Sequence, residues 1–109
     1  MNVLVLCGRN KKRSPTAERI LRRWSGMHAR SAGFSSQSPR TLRESDVAWA
    51  DVVLVMENEH KRRLRGRFRD VLQRTPVVVL GIADEYDRDD PELVDLLSER
   101  MTRALSRRA

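Results

Sequence analysis

Cysteine is almost absent from this chain of 109 residues: Cys7 is the only one. No intrachain disulfide can form, so the sequence reads as a protein of a reducing compartment, the cytoplasm. The two histidines, His28 and His60, have no cysteine or histidine partners at metal-ligand spacing. The acidic residues Asp84, Asp87, Asp89 and Asp90 lack the glycine and distal glutamate of a calcium loop. No metal and no cofactor are therefore expected. No stretch approaches the roughly 18 apolar residues of a membrane span. The first apolar run begins at Val3, which leaves no room ahead of it for a signal peptide. There are no repeats and no internal boundary, so residues 1–109 read as one small domain. Acidic residues are in deficit, 15 Asp and Glu against 22 Lys and Arg, giving a net charge of +7. That balance favours polyanionic partners, whether phosphorylated proteins, nucleotides or RNA.

What the chain does contain is concentrated between Val3 and Glu18. Val3 to Leu6 is a short continuous apolar run, suited to a strand buried on both faces. It delivers Cys7 to a polar turn containing Gly8, Arg9, Asn10, Lys11 and Lys12, and Arg13 follows six places after the cysteine. Ser14-Pro15 is a helix start signal, because proline is favoured at the first helical position and serine just before it. Ala17, Ile20, Leu21 and Trp24 then recur at helical spacing as a stripe facing a sheet. A strand, a tight polar loop and a helix aim backbone N–H groups and the positive end of the helix dipole at the loop's centre. An ordinary thiol is only a few per cent ionised at neutral pH, and the thiolate is the nucleophile. The field of this loop favours the thiolate. A thiolate and a guanidinium so placed can hold and attack a phosphate.

The remaining chain alternates strands and helices. Strands are expected at Met27 to Ser31, Val52 to Met56 and Pro76 to Leu80. Arg40 to Ala50 reads as a helix, and Asn58 can cap a basic helix that Gly66 interrupts before Phe68 to Leu72. Leu93, Leu96, Leu97, Met101, Ala104 and Leu105 make the final helix amphipathic. Trp24 and Trp49 are expected to pack on the sheet. This is the pattern of an α/β fold, a parallel sheet covered on both faces, with ligands beyond the carboxyl ends of its strands. Cys7 and Asp84 both follow strands at that edge. The run Lys61-Arg62-Arg63-Leu64-Arg65-Gly66-Arg67 reads first as a solvated helix face, and second as a surface for RNA or a phosphoprotein.

The motif C-x-x-N-x-x-R-S-P-x-A-E, formed by Cys7, Asn10, Arg13, Ser14, Pro15, Ala17 and Glu18, resembles the phosphate-binding loop of low-molecular-weight protein-tyrosine phosphatases. Ser31-Ala32-Gly33, the run Ala50 to Met56 with His60 and Leu64 beyond, and Ile82-Ala83-Asp84-Glu85-Tyr86 resemble later parts of that family in the same order. The resemblance implies a three-layer αβα sandwich with strand order 2-1-3-4. It implies a phosphomonoesterase acting on phosphotyrosine proteins through a phosphocysteine on Cys7. Arg13 would bind the phosphate, with Gly8, Arg9, Asn10, Lys11 and Lys12 shaping the seat. Ser14 would bond the sulfur, and Tyr86 would wall an aryl pocket.

A proton donor for the leaving oxygen is also required. Asp84 matches the position of the family's acid, immediately past the fourth strand and two residues before Tyr86. Asp87 and Asp90 stay open as alternatives, although Asp90 also reads as the cap of a helix beginning at Pro91.

The chain departs from the family in several places. Arg9 replaces the usual glycine two places after the nucleophile, Lys12 replaces the second loop cysteine, and Glu85 replaces the proline after the acid. A long segment usual between the second and third strands is missing. Arsenate reduction on this fold would need further cysteines. A phosphatase of RNA or nucleotide terminal phosphates remains an alternative, as does a non-catalytic module that binds phosphate or nucleic acid.

Overall fold

Four parallel strands make one sheet in the order β2-β1-β3-β4. They are β1 (Asn2–Cys7), β2 (His28–Gly33), β3 (Val52–Val55) and β4 (Val77–Val79) in a computed structural model that describes residues 1–106. Side chains alternate across a strand, and here both faces are covered. Val3, Val5 and Cys7 of β1, with Val52 and Leu54 of β3, face helices α1 (Arg13–Leu21) and α5 (Pro91–Ser106). Leu4, Leu6, Val53 and Val55 face α2 (Glu44–Trp49), α3 (Asn58–Arg67) and α4 (Arg69–Leu72) on the other side. The result is the three-layer αβα arrangement and strand order read from the sequence. Val3 to Leu6 and Val52 to Val55 are fully buried, and each such side chain contributes about 1.5–3 kcal/mol relative to exposure. Leu93, Leu97, Met101 and Leu105, four apart along α5, are all buried against the sheet.

Several boundaries differ from the sequence reading, each for a local reason. Helix α1 starts at Arg13, so Pro15 is its third residue and not its first. The first helical N–H groups have no partner within the helix, so proline is tolerated there as well. Residues 40–43 are not helical: Thr41 bridges to Gly33, and α2 begins only at Glu44. The cap of α3 is Glu57, whose backbone N–H donates to His60 Nδ1 at 3.3 Å, with Asn58 already helical. Gly66 does not interrupt α3, which runs on to Arg67. One glycine costs about 1 kcal/mol against alanine, too little to stop a helix. Trp24 and Trp49 are half-buried against opposite faces of the sheet. No helix among the described residues is long and apolar enough to cross a membrane.

A buried carboxylate secures the connection after β2. Asp46 is fully buried; it accepts from Arg40 Nη2 at 2.8 Å, the Arg43 N–H at 3.1 Å and Arg30 Nη1 at 3.5 Å. The Arg30 guanidinium also lies 4.1 Å from the centre of the Trp49 ring. Removing one partner of a buried, bonded charge cluster leaves the others unpaired. Asp46→Ala is expected to cost about 2–4 kcal/mol, and Arg40→Ala, on the exposed side, less than half of that. Urea unfolding midpoints measure both, and an Asp46→Ala midpoint equal to that of the wild type contradicts this role.

Candidate active site

Strand alternation puts Cys7, the last residue of β1, on the α1 side of the sheet at its carboxyl edge. The chain then turns through Gly8 to Lys12 into α1. Cys7, Gly8, Arg9, Lys11, Lys12, Arg13 and Asp84 line one cavity of about 300 Å³. Cys7 is only 3% exposed. The amide groups of Gly8 to Lys12 donate to no protein acceptor among the described residues. Successive unpaired amides in such a loop form a concave seat for an anion.

Behind the loop, a relay fixes the sulfur. Asn10 adopts φ 55, the left-handed conformation that asparagine tolerates. Its Nδ2 donates to Ser14 Oγ at 2.9 Å, and Ser14 Oγ lies 2.9 Å from Cys7 Sγ. With one acceptor site of the hydroxyl taken by Asn10, its proton is free to be shared with the sulfur, and either atom of the Ser14–Cys7 pair can donate. Ser14 makes no bond of the helix-capping kind.

Arg13 is 5% exposed and held from two sides. Its Nη1 donates to Glu57 Oε2 and to the Ile82 carbonyl, both at 2.7 Å. Those bonds occupy both hydrogens of Nη1 and leave the edge formed by Nε and Nη2. Asp84 Oδ1 stands 3.8 Å from Nε. A guanidinium edge of this kind matches two oxygens of a phosphate.

The second strand supports the loop from below. Phe34 N donates to the Cys7 carbonyl at 3.2 Å and Ser35 N to the Gly8 carbonyl at 2.9 Å. A Cβ on Gly33 would stand 2.9 Å from both the Arg9 carbonyl carbon and the Asn10 nitrogen, and would collide with Ser38 Oγ. Only glycine fits this approach. Phe34 stacks on His60 with centroids 5.6 Å apart. Burial, with the Arg13 charge nearby, holds the His60 pKa below the usual 6.5. The hydrogen bond from Arg13 holds the Glu57 carboxyl below its usual range.

The structure thus brings Cys7, Gly8, Arg9, Lys11, Lys12, Arg13 and Asp84 to one cavity, with Asn10 and Ser14 directly behind it. Tyr86 is not among the lining residues; it is half-buried against the α1–α5 core. Asp87 is 92% exposed and lies 4.0 Å from Lys12. Asp90 Oδ1 accepts from Glu92 N at 2.9 Å, the capping role open to it in the sequence. Sequence reasoning missed Glu57. The available signal was its position: an acid just past a buried strand, at the same sheet edge as Cys7 and Asp84.

Gly33→Ala is expected to weaken binding of inorganic phosphate or vanadate by tenfold or more, because sub-ångström displacement of a seat is costly. Calorimetric titration measures it, and undiminished affinity contradicts the close approach. For His60, a lowered folded pKa means that its stability contribution is complete above 6.5 and lost as pH falls below that value. The urea midpoint should therefore drop on acidification through this window. His60→Gln should flatten that limb, while Glu57→Gln should leave it in place, since the carboxyl titrates lower.

The sequence matches no protein-family model and no curated protein sequence. The fold, by contrast, matches solved structures over nearly its whole length. The tyrosine phosphatase Wzb from Escherichia coli K30, in complex with phosphate, aligns with a TM-score of 0.77 at 21% identity, covering 99% of this chain and 98% of that one. YwlE arginine phosphatase from Geobacillus stearothermophilus gives 0.70 at 22%, covering 97% and 93%. A low-molecular-weight protein tyrosine phosphatase from Streptococcus pyogenes gives 0.74 at 16%, covering 99% and 93%. By architecture and strand order, this chain has the low-molecular-weight protein tyrosine phosphatase fold.

Proposed function

We propose that the chain is a cysteine-dependent phosphomonoesterase of phosphorylated proteins, with phosphotyrosine as its simplest substrate. One observation carries this reading: Cys7 sits in a cavity also lined by Arg13 and Asp84 and flanked by unpaired amides. The fold's likeness to proteins described as tyrosine and arginine phosphatases supports it. The lone cysteine accords with a cytoplasmic location.

The proposed reaction has two displacements. Cys7 Sγ attacks phosphorus in line; the S–P bond forms as the ester P–O bond breaks, and the Asp84 carboxylic acid gives its proton to the departing oxygen. Water then attacks phosphorus, giving a proton to the Asp84 carboxylate while the S–P bond breaks and inorganic phosphate leaves. The free Nε–Nη2 edge of Arg13 and the loop amides bind the equatorial oxygens, where transition-state charge collects. Ser14 stabilises the thiolate each time it is released. No step calls for a metal.

A second reading, a phosphatase of RNA or nucleotide terminal phosphates, draws on the exposed cations Arg9, Lys11 and Lys12 at the cavity. A non-catalytic phosphate-binding module would use the same seat without turnover. Hydrolysis of p-nitrophenyl phosphate separates the leading reading from this last one. Cys7→Ser should abolish turnover while vanadate still binds, and Asp84→Asn should lower kcat by about 10²- to 10⁴-fold. Turnover that survives in Cys7→Ser contradicts the mechanism.

A further inference from the structure

We infer that the cavity selects protein segments bearing carboxylate side chains immediately beside the phosphorylated residue. This rests on the phosphatase reading above and specifies its substrate class. Arg13 already faces two carboxylates, Glu57 and Asp84. The remaining cations at the cavity are differently placed. Arg9 and Lys11 are exposed and have no ion-pair partner among the described residues. Lys12 has only a 4.0 Å approach to Asp87, itself 92% exposed. A phosphate seated on the loop amides and Arg13 leaves these cations available to a further anionic group. Arg9 and Lys12 are three positions apart, so the cationic rim spans at most about 11 Å of chain. A rim so confined places its charges nearest the residues that flank a phosphorylated side chain.

The aromatic side chains decide which anion this is. All five are engaged away from the cavity. Trp24 and Tyr86 lie on the α1–α5 core, and Trp49 lies under Arg30. Phe34 is stacked on His60 and covered by Arg63 at 4.9 Å, and Phe68 is covered by Arg67 at 5.1 Å. A nucleobase gains affinity by stacking on aromatic rings, and no ring lines this cavity. With no ring for a base to stack on, the charge of the rim is the recognition element at hand. Of the anions it could meet, an acidic peptide loses nothing by the lack of a stacking surface.

The test compares phosphotyrosine peptides of one sequence whose flanking positions carry Asp and Glu, or Asn and Gln. At low salt kcat/KM should favour the acidic peptide by roughly five- to tenfold, the sum of a few exposed charge pairs. The preference should fall toward parity near 1 M salt, where the Debye length is about 3 Å. In Arg9→Gln/Lys11→Gln/Lys12→Gln the acidic-to-amide ratio should approach one. Because the ratio is taken within each protein, a general loss of activity does not move it. Equal kcat/KM for the two peptides, or a ratio that persists in the triple variant, overturns the inference. So does a 5′-phosphorylated oligonucleotide hydrolysed in preference to the acidic peptide. Failure to hydrolyse either peptide overturns the phosphatase reading itself, and this inference with it.

Discussion

Both hydrogens of one nitrogen, Arg13 Nη1, are bonded within the protein, to Glu57 Oε2 and to the Ile82 carbonyl. Arg13 follows β1, Glu57 follows β3 and Ile82 follows β4, so one guanidinium joins three segments at the carboxyl edge of the sheet. A buried arginine with no such partners would carry a large desolvation cost. Held in this way it becomes a fixed donor whose remaining edge has little freedom to lose when an anion arrives. Preorganised donors of this kind need no reorganisation during a reaction, which is the main source of electrostatic catalysis.

The two faces of the sheet divide the work. Alternation along β1 places Cys7 with the α1–α5 core, beside the acid-bearing loop after β4. The opposite face supplies support: Phe34 and Leu64 belong to its core, and His60 stacks on Phe34 while accepting the Glu57 amide. Support reaches the loop through backbone as well, by the Phe34 and Ser35 amides and by the absence of a Cβ at Gly33. Burial keeps His60 neutral at physiological pH. Glu57 can then hold Arg13 without a second cation in the cluster competing for its carboxylate.

Much of this was legible in the sequence because its carriers are local. The apolar runs from Val3 and Val52, the Cys7–Arg13 spacing and the period of α5 each lie within one element. They are fixed by chain geometry alone. Strand order came through resemblance to a family and agrees with the fold observed; Asp84, chosen on the same resemblance, lines the cavity. The partners of Arg13 were not legible, for two physical reasons. Glu57 is forty-four positions away in the chain, and a backbone carbonyl such as that of Ile82 has no sequence signature. Boundaries slipped where a side chain acted unexpectedly. Asp46 gathers donors from Arg30, Arg40 and Arg43, with residues 40–43 outside the helix, and the backbone of Glu57, capped by His60, starts α3 one residue early.

The loop after β4 leaves Asp84, the acid of the proposed reaction, less constrained than the seat formed after β1. At one end Arg100 Nη1 donates to the Leu80 carbonyl at 2.6 Å and reaches the Gly81 carbonyl at 3.3 Å. At the other, Asp89 N donates to Thr16 Oγ1 at 3.0 Å and Arg19 donates to the Asp89 carboxylate at 2.7 Å. Both anchors fall on helices of the same face. Between them Ala83, Asp84 and Glu85 are exposed, crossed by a single short turn from Glu85 N to the Ala83 carbonyl. Asp84, 61% exposed on its side chain, is thereby kept near Arg13 without being buried beside it. For the proton transfers proposed above, a carboxyl group is better served by this partial exposure than by a closed ion pair, because an adjacent guanidinium favours the charged form of a carboxyl.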